Sequence, residues 1–137
     1  MLERYLRTRI GIEKKEHGGE SVSFLDLKIN IEGRMFDTSL FDKRDDFPFD
    51  IVRMPYKSSN IPSKIFYSSL GAEILRIGRA TMSTTAFVSS SRALIHRMMN
   101  QGAAREDVTR LLKKIYGQYG LFRKFASSAA KFATSLQ

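Results

Sequence analysis

The sequence predicts an α+β fold, in which a small antiparallel β-hairpin or three-stranded sheet precedes a bundle of three to four helices. Two observations predict it. Apolar and polar side chains alternate over residues 22–31, which is the period of a half-buried strand. After Pro62, apolar side chains recur at helical spacing in three successive segments. We therefore divide the chain into a β segment with an irregular loop, residues 1–61, and a helical segment, residues 62–137.

The β segment contains the strand signals. From Leu25 to Ile31 the odd positions are leucine or isoleucine and the even positions are polar, so residues 22–31 are predicted to form one strand. Gly33 provides a turn, because glycine takes a positive φ without steric cost, and residues 35–41 form the return strand. Upstream, residues 9–13 alternate weakly, and the run from His17 to Glu20 is a turn signal.

Residues 42–61 are predicted to be irregular, because two prolines and a Ser-Ser-Asn cluster exclude a long regular element. The loop is nevertheless too apolar for a free linker, and we expect it to pack on the rest of the protein. Its apolar side chains are Phe47, Phe49, Ile51, Val52 and Tyr56.

The helical segment begins at Pro62, which suits the first turn of a helix. Residues 81–85 end the first helix and supply N-caps for the second, which Gly102 ends. Glu106 and Asp107 favour the N-terminus of a third helix, and residues 121–136 form a fourth, weaker helix or fray. The predicted buried stripes are Phe66, Leu70, Ile74 and Ile77 in the first helix, Phe87, Leu94, Ile95 and Met98 in the second, and Val108, Leu111, Leu112 and Ile115 in the third.

The composition excludes several classes of protein. The chain has no cysteine, so it has no disulfide, thiolate zinc site or cysteine nucleophile. No apolar run is long enough to span a membrane, and the first residues lack the apolar stretch of a secretory signal. We therefore expect an intracellular protein, nuclear or cytoplasmic, with no membrane association.

The net charge of +9 lies entirely in the helical segment. Residues 62–137 contain 12 Lys and Arg against 3 Asp and Glu, whereas residues 1–61 contain 11 of each. A polyanionic partner such as nucleic acid should therefore meet the helical segment.

Candidate catalytic groups are few. The adjacent Asp45 and Asp46 resemble a pair that could hold Mg²⁺, but they lie in irregular chain and not in a tight hairpin turn between hydrophobic strands, which favours a turn or ion-pair role. His17 and His96 are far apart, and no glycine-rich phosphate loop or nucleophile elbow is present. We expect no catalytic residue, no metal site and no cofactor in this chain.

The basic residues favour a surface that follows a phosphate backbone, because phosphates require positive charge without base-specific geometry. The alternative for each of them is an ordinary solvated helix face. The candidate nucleic-acid-binding residues are Lys43, Arg44, Lys64, Arg76, Arg79, Arg92, Arg97, Arg110, Lys113 and Lys114.

The string Phe24-Leu25-Asp26-Leu27, continued by Lys28-Ile29, resembles the FLDL-x-I hairpin that follows the YADD box in Penelope-like and related retroelement reverse transcriptases. Residues 38–45 resemble the T-x-L-Y-x-K-x-x-D return strand of that family, and residues 60–62 with 75–80 resemble its N-x-P … L-R-R-I helix. Gln101-Gly102 stands where the family has an R-G-Y break, without the arginine and tyrosine. The matches span roughly residues 10–118.

The resemblance implies that the hairpin corresponds to the end of the palm and the primer grip, and the helices to a thumb-like bundle that holds the primer–template duplex. The catalytic aspartates and their Mg²⁺ would lie upstream, in the palm and fingers that would be the chain's other partner. On that reading the chain is a non-catalytic C-terminal fragment that leaves Leu25, Leu27 and Phe41 partly uncovered. The alternatives are a stand-alone nucleic-acid-binding module and a protein-interaction domain with acidic partners.

Overall fold

The computed structural model describes residues 19–49 and 51–137. The strand signal at residues 9–13 and His17 lie outside the described residues. The predicted α+β architecture is confirmed, with a three-stranded antiparallel sheet followed by four helices. The elements are β1 (Ser21–Phe24), β2 (Leu27–Glu32), β3 (Met35–Leu40), α1 (Ser63–Ala80), α2 (Thr84–Asn100), α3 (Arg105–Gln118) and α4 (Ala129–Leu136).

The sheet has the order β1-β2-β3. The prediction of a single strand over residues 22–31 is wrong, because a turn divides this segment between β1 and β2. The chain reverses at Leu25-Asp26, so Phe24 pairs with Leu27 across a two-residue turn. Leu25 has a φ of 54°, a left-handed conformation that is uncommon for leucine. The side chains on the apolar face of the sheet come from even-numbered residues before the turn and from odd-numbered residues after it. This change is hidden when the segment is treated as one alternating strand. The second turn is as predicted, since Gly33 has a φ of 63°.

The predicted helix boundaries are confirmed. The α1 helix starts directly after Pro62. The Ser83 side chain caps α2 by accepting a hydrogen bond from the Ala86 amide at 3.4 Å, and Gly102, with a φ of 101°, follows its end. Such a positive φ is typical of the glycine that ends a helix.

The C-terminal tail forms a helix rather than fraying, because its aromatic side chains are part of the core. The ring of Phe87 stacks on that of Phe125, with the ring centroids 3.9 Å apart. The rings of Phe122 and Phe132 each lie 6.0 Å from the ring of Phe87. The buried apolar core comprises Phe66, Leu70, Ile74, Ile77, Phe87, Leu94, Ile95, Met98, Ala103, Val108, Leu112, Ile115, Phe122, Phe125, Phe132, Ala133 and Leu136.

The loop at residues 42–61 is irregular, as predicted, apart from a short 3-10 helix, Lys43–Asp46. It is anchored where the side-chain amide of Gln101 donates to the Met54 carbonyl at 3.0 Å and where the backbone amide of Lys57 donates to the backbone carbonyl of Gln101 at 2.8 Å. The loop is thus attached to the bundle, but the expectation that its five named apolar side chains pack is wrong for all of them. The exposed side chains are Phe47, Phe49, Ile51, Val52 and Tyr56.

The sheet meets the bundle through β3. Leu40 packs against the core, and the Met82 amide donates to the Thr38 carbonyl at 3.0 Å. Leu25 is 77 % exposed, and Leu27 and Phe41 are half-buried. These three side chains are partly uncovered, as expected.

Candidate nucleic-acid interface

Arg44 and Arg97, two of the predicted binding residues, share one carboxylate. The Nε of Arg44 lies 2.8 and 2.9 Å from the two carboxylate oxygens of Asp42, and its terminal nitrogen also pairs with that group. Arg97 lies 4.0 Å from the same carboxylate. The hydrogen bond from the Arg44 side chain is the main reason that the pKa of Asp42 is lowered to about 2.

Arg76 ties the hairpin to α1. Its guanidinium donates to Glu73 at 2.9 Å and to Asp26, in the first hairpin turn, at 3.1 Å. Arg53 pairs with the other oxygen of Glu73 at 3.1 Å. The predicted site residues next to the sheet therefore have part of their charge compensated by carboxylates.

The remaining predicted residues lie on exposed parts of the helices, except Lys43, which is exposed in the 3-10 helix. On α3, Arg110 pairs with Asp107 at 3.1 Å, while Lys113 and Lys114 point to solvent. On α2, the Nε of Arg92 donates to the Ser135 carbonyl at 2.8 Å.

Nine cations in the helical segment are exposed and form no ion pair with any described residue. The exposed positive charge that could attract a polyanion is therefore concentrated on the bundle. They are Lys64, Arg79, Arg92, Arg105, Lys113, Lys114, Arg123, Lys124 and Lys131.

Four of these cations lie at one end of the bundle, and we call Arg79, Arg123, Lys124 and Lys131 the basic end. Lys124 reaches the link between α1 and α2, where its ammonium donates to the Thr81 carbonyl at 3.2 Å. Lys131 lies in the first turn of α4, which Ser128 caps. The next residue, Phe132, places this turn close to the segment that contains Lys124, because its ring lies 5.0 Å from that of Phe122. Three separate segments of the bundle therefore contribute positive charge to the same end.

The basic end has little negative charge nearby. Residues 74–105 and 108–137 contain no Asp or Glu. The strand β3 approaches through Thr38, and Asp37 next to it belongs to the opposite face of the sheet, because side chains alternate along a strand. The N-termini of α2 and α4 lie at this end together with the C-termini of α1 and α3, so the partial charges of the helix ends offset one another and the side chains determine the sign of the charge.

Exposed cations are also present away from the basic end. The helices α1 and α3 run in the same direction, because the side chain of Tyr67 contacts Asp107 and a Cβ on Gly71 would lie 3.5 Å from Leu111. Lys64, near the N-terminus of α1, lies about 22 Å along the helix from Arg79 at 1.5 Å per residue.

Charge patterning could have identified four cations that sequence reasoning did not single out. Arg105, Arg123, Lys124 and Lys131 were not among the predicted residues, yet three of them follow Asp107 in a stretch without acidic residues. Spacing along one helix does not reveal them, because the basic end is assembled from separate elements.

The other motifs have structural positions. Phe24 and Leu27 are paired across the first hairpin turn, and Leu25 and Asp26 form that turn. Asp45 and Asp46 end the 3-10 helix. Within the described residues no group of three His, Asp or Glu side chains is arranged to hold a metal ion. His96 is exposed on α2, 3.4 Å from Asn100.

Comparison with known protein families, curated proteins and solved structures found no match to this chain. None of the described helices is long and apolar enough to cross a membrane.

Proposed function

We propose that this chain binds the phosphate backbone of a nucleic-acid duplex through its helical bundle, as the non-catalytic C-terminal part of a reverse transcriptase that grips the primer–template. The observation that carries the proposal is the set of nine exposed cations of the helical segment that form no ion pair with any described residue, four of which form the basic end. Phosphates require such charge and no particular hydrogen-bonding geometry.

The attachment of the hairpin also supports this proposal. Asp26 lies in the FLDL string and its carboxylate is 3.1 Å from the guanidinium of Arg76 on α1. In the reverse transcriptases that the chain resembles, the corresponding hairpin steadies the primer end and the helices hold the duplex behind it. A direct ion pair between the two would keep those contacts in a constant relative position.

The backbone-binding proposal is tested by titrating the chain against two blunt RNA–DNA hybrids of unrelated sequence at a series of salt concentrations. We expect similar affinities for both hybrids and a steep loss with salt, because each neutralised phosphate contributes a slope near 0.9 in log K against log salt. Absence of binding at low salt would overturn the proposal and leave a protein-interaction domain as the better reading. Binding that does not weaken with salt would also overturn it, because phosphate contacts would then not carry the affinity.

A pair of double variants locates the surface. Arg79→Gln with Arg123→Gln removes two exposed cations of the basic end, and Lys28→Gln with Arg34→Gln removes two exposed cations of the sheet. We expect the first pair to weaken binding of both hybrids alike and to reduce the salt slope by about 2, and the second pair to change it little. Equal effects of the two pairs would show that only net charge matters.

The polymerase ancestry has a separate test. The genomic sequence directly upstream of the codon for Met1 should encode, in frame, a box with Tyr-x-Asp-Asp. An upstream sequence without that box would leave a stand-alone nucleic-acid-binding module as the better reading.

A further inference from the structure

An open groove separates the loop from the C-terminal half of α2. Its volume is about 810 Å³. The loop forms one wall with the rings of Phe47, Phe49 and Tyr56, and α2 contributes Leu94 and Met98. The groove lies apart from the basic end, and most of the loop residues that line it are exposed.

The aromatic wall is accessible to a ligand. Phe47 is 49 % exposed, Phe49 is 62 % exposed and Tyr56 is 51 % exposed. The two phenylalanine rings lie 5.5 Å apart at an interplanar angle of 43°, and Pro48 between them restricts the backbone. Exposed apolar side chains grouped in this way are typical of a binding surface.

Three arginines line the groove beside these rings, namely Arg44, Arg53 and Arg97. Asp42 pairs with both Arg44 and Arg97, and Glu73 pairs with Arg53 and also with Arg76. Each carboxylate therefore serves two guanidinium groups, which holds the arginines at the groove. Arg53 and Arg97 remain 47 % exposed.

We propose that this groove holds unpaired nucleotides, with bases against Phe47, Phe49 and Tyr56 and phosphates toward Arg53 and Arg97. The inference deepens the proposed function and rests on it. Aromatic rings beside cationic side chains are the combination that binds single strands, because every base has a flat face that can stack. A duplex would not use the rings, since its bases are already stacked, and an uncharged apolar peptide would not use the arginines.

The experiment compares three ligands that share one blunt RNA–DNA hybrid. The first ligand is the blunt hybrid, the second carries an extension of six thymidines, and the third carries six abasic residues, which keep the phosphates but have no bases. We expect the thymidine extension to raise the affinity of the wild-type chain roughly tenfold over the abasic one, since stacking of a base contributes on that order.

Two matched variants test whether the groove is responsible. Phe47→Ala with Phe49→Ala removes two exposed rings from the groove, and Phe24→Ala with Phe36→Ala removes two similarly exposed rings from the sheet. We expect the groove variant to bind the thymidine and abasic extensions equally while keeping its affinity for the blunt hybrid. The sheet variant should keep the preference for thymidine. Because all four rings are exposed, both variants should unfold at nearly the wild-type temperature.

The outcomes separate the two proposals. If the wild-type chain binds the blunt hybrid but binds the thymidine and abasic extensions equally, the inference falls and the proposed function stands. The inference also falls if both double variants lose the preference, or if neither does. Failure to bind even the blunt hybrid would overturn the proposed function together with the inference that rests on it.

Discussion

The helical bundle and the sheet-and-loop region use their apolar side chains in opposite ways. All seventeen core side chains come from residues 62–137, and none of the described residues from 19 to 61 is buried. Conversely, of the fourteen large apolar side chains that are exposed in the described part of the chain, ten lie from Phe24 to Tyr56. The bundle therefore stabilises itself, whereas the sheet and loop present apolar surface.

The charges show the same contrast. The bundle carries nine exposed cations that are not ion-paired within residues 19–49 and 51–137, whereas the arginines beside the sheet and loop are held by Asp26, Asp42 and Glu73. A rigid bundle with free charge suits a ligand that is recognised by its charge alone. Apolar surface with arginines held in place suits a ligand that offers flat apolar groups as well.

The largest difference between the two regions is expected for phenylalanine truncation. Phe87 is fully buried and stacks on Phe125, so Phe87→Ala should lower the free energy of unfolding by about 3–5 kcal/mol. Phe36→Ala, at a position 60 % exposed on β3, should change it by less than about 0.5 kcal/mol. Urea unfolding of both variants measures this, and similar losses would contradict the division into a stable bundle and an open sheet.

Two glycines in α1 allow the packing at two positions of the bundle to be compared. A Cβ at Gly78 would lie 2.9 Å from both Leu121 and Phe122, and Phe122 is fully buried, so Gly78→Ala should destabilise the protein by about 1–3 kcal/mol. A Cβ at Gly71 would meet Leu111 at 3.5 Å, an ordinary contact. Gly71→Ala should therefore stabilise it by roughly 0.5–1 kcal/mol, since alanine favours the helix. Thermal unfolding should move in opposite directions for the two variants.

The helices could be predicted from the sequence and the first hairpin could not. Helical spacing and the signals at Pro62, Ser83 and Gly102 all indicate the same boundaries, because each has a local cause. The turn at Leu25-Asp26 lacks glycine, proline and asparagine, and its single aspartate is a weak local signal. The stronger sign in the sequence is that the apolar positions change from even to odd numbers between Phe24 and Leu27.

The positive charge of the proposed binding surface was predictable from the sequence, but the arrangement of its residues was not. The excess charge of residues 62–137 already indicates which half meets a polyanion. Which cations remain unpaired depends on contacts between distant residues, such as those of Asp26 with Arg76 and Asp42 with Arg97. The basic end likewise depends on the packing of three segments, which periodicity within any one of them does not show.

A hydroxyl group that links the loop to the bundle should have a smaller effect than the core changes. The hydroxyl of Tyr67 donates to Asp107 at 3.0 Å and accepts from the Ala104 amide at 3.1 Å and from Lys57 at 3.2 Å. Tyr67→Phe should cost about 1–2 kcal/mol, because the amide and carboxylate lose a partner. Tyr56→Phe is the control, since Tyr56 is 51 % exposed and should tolerate the change. Equal unfolding free energies for the two variants would show that the link does not stabilise the loop.

The smallest expected effect is the acid sensitivity of the pair between Asp42 and Arg44. The folded-state pKa of Asp42 is lowered from 3.8 to about 2, chiefly by the hydrogen bond from Arg44. The unfolded chain therefore takes up this proton first as the pH falls. The stability that the pair contributes is full above about pH 4 and is lost as the pH approaches 2. Because the pair is partly solvated, the contribution should be only about 1 kcal/mol.

Urea unfolding at pH 5 and pH 2 should thus show a smaller loss of stability for Asp42→Asn than for the wild-type chain. Glu20→Gln, which removes an exposed carboxylate without an ion pair among the described residues, should keep the wild-type difference. If Asp42→Asn loses as much stability as the wild type over this range, the pair does not help to hold the loop. Another contact would then have to hold the arginines of the groove in place, because Asp42 is the carboxylate that contacts both Arg44 of the loop and Arg97 of α2.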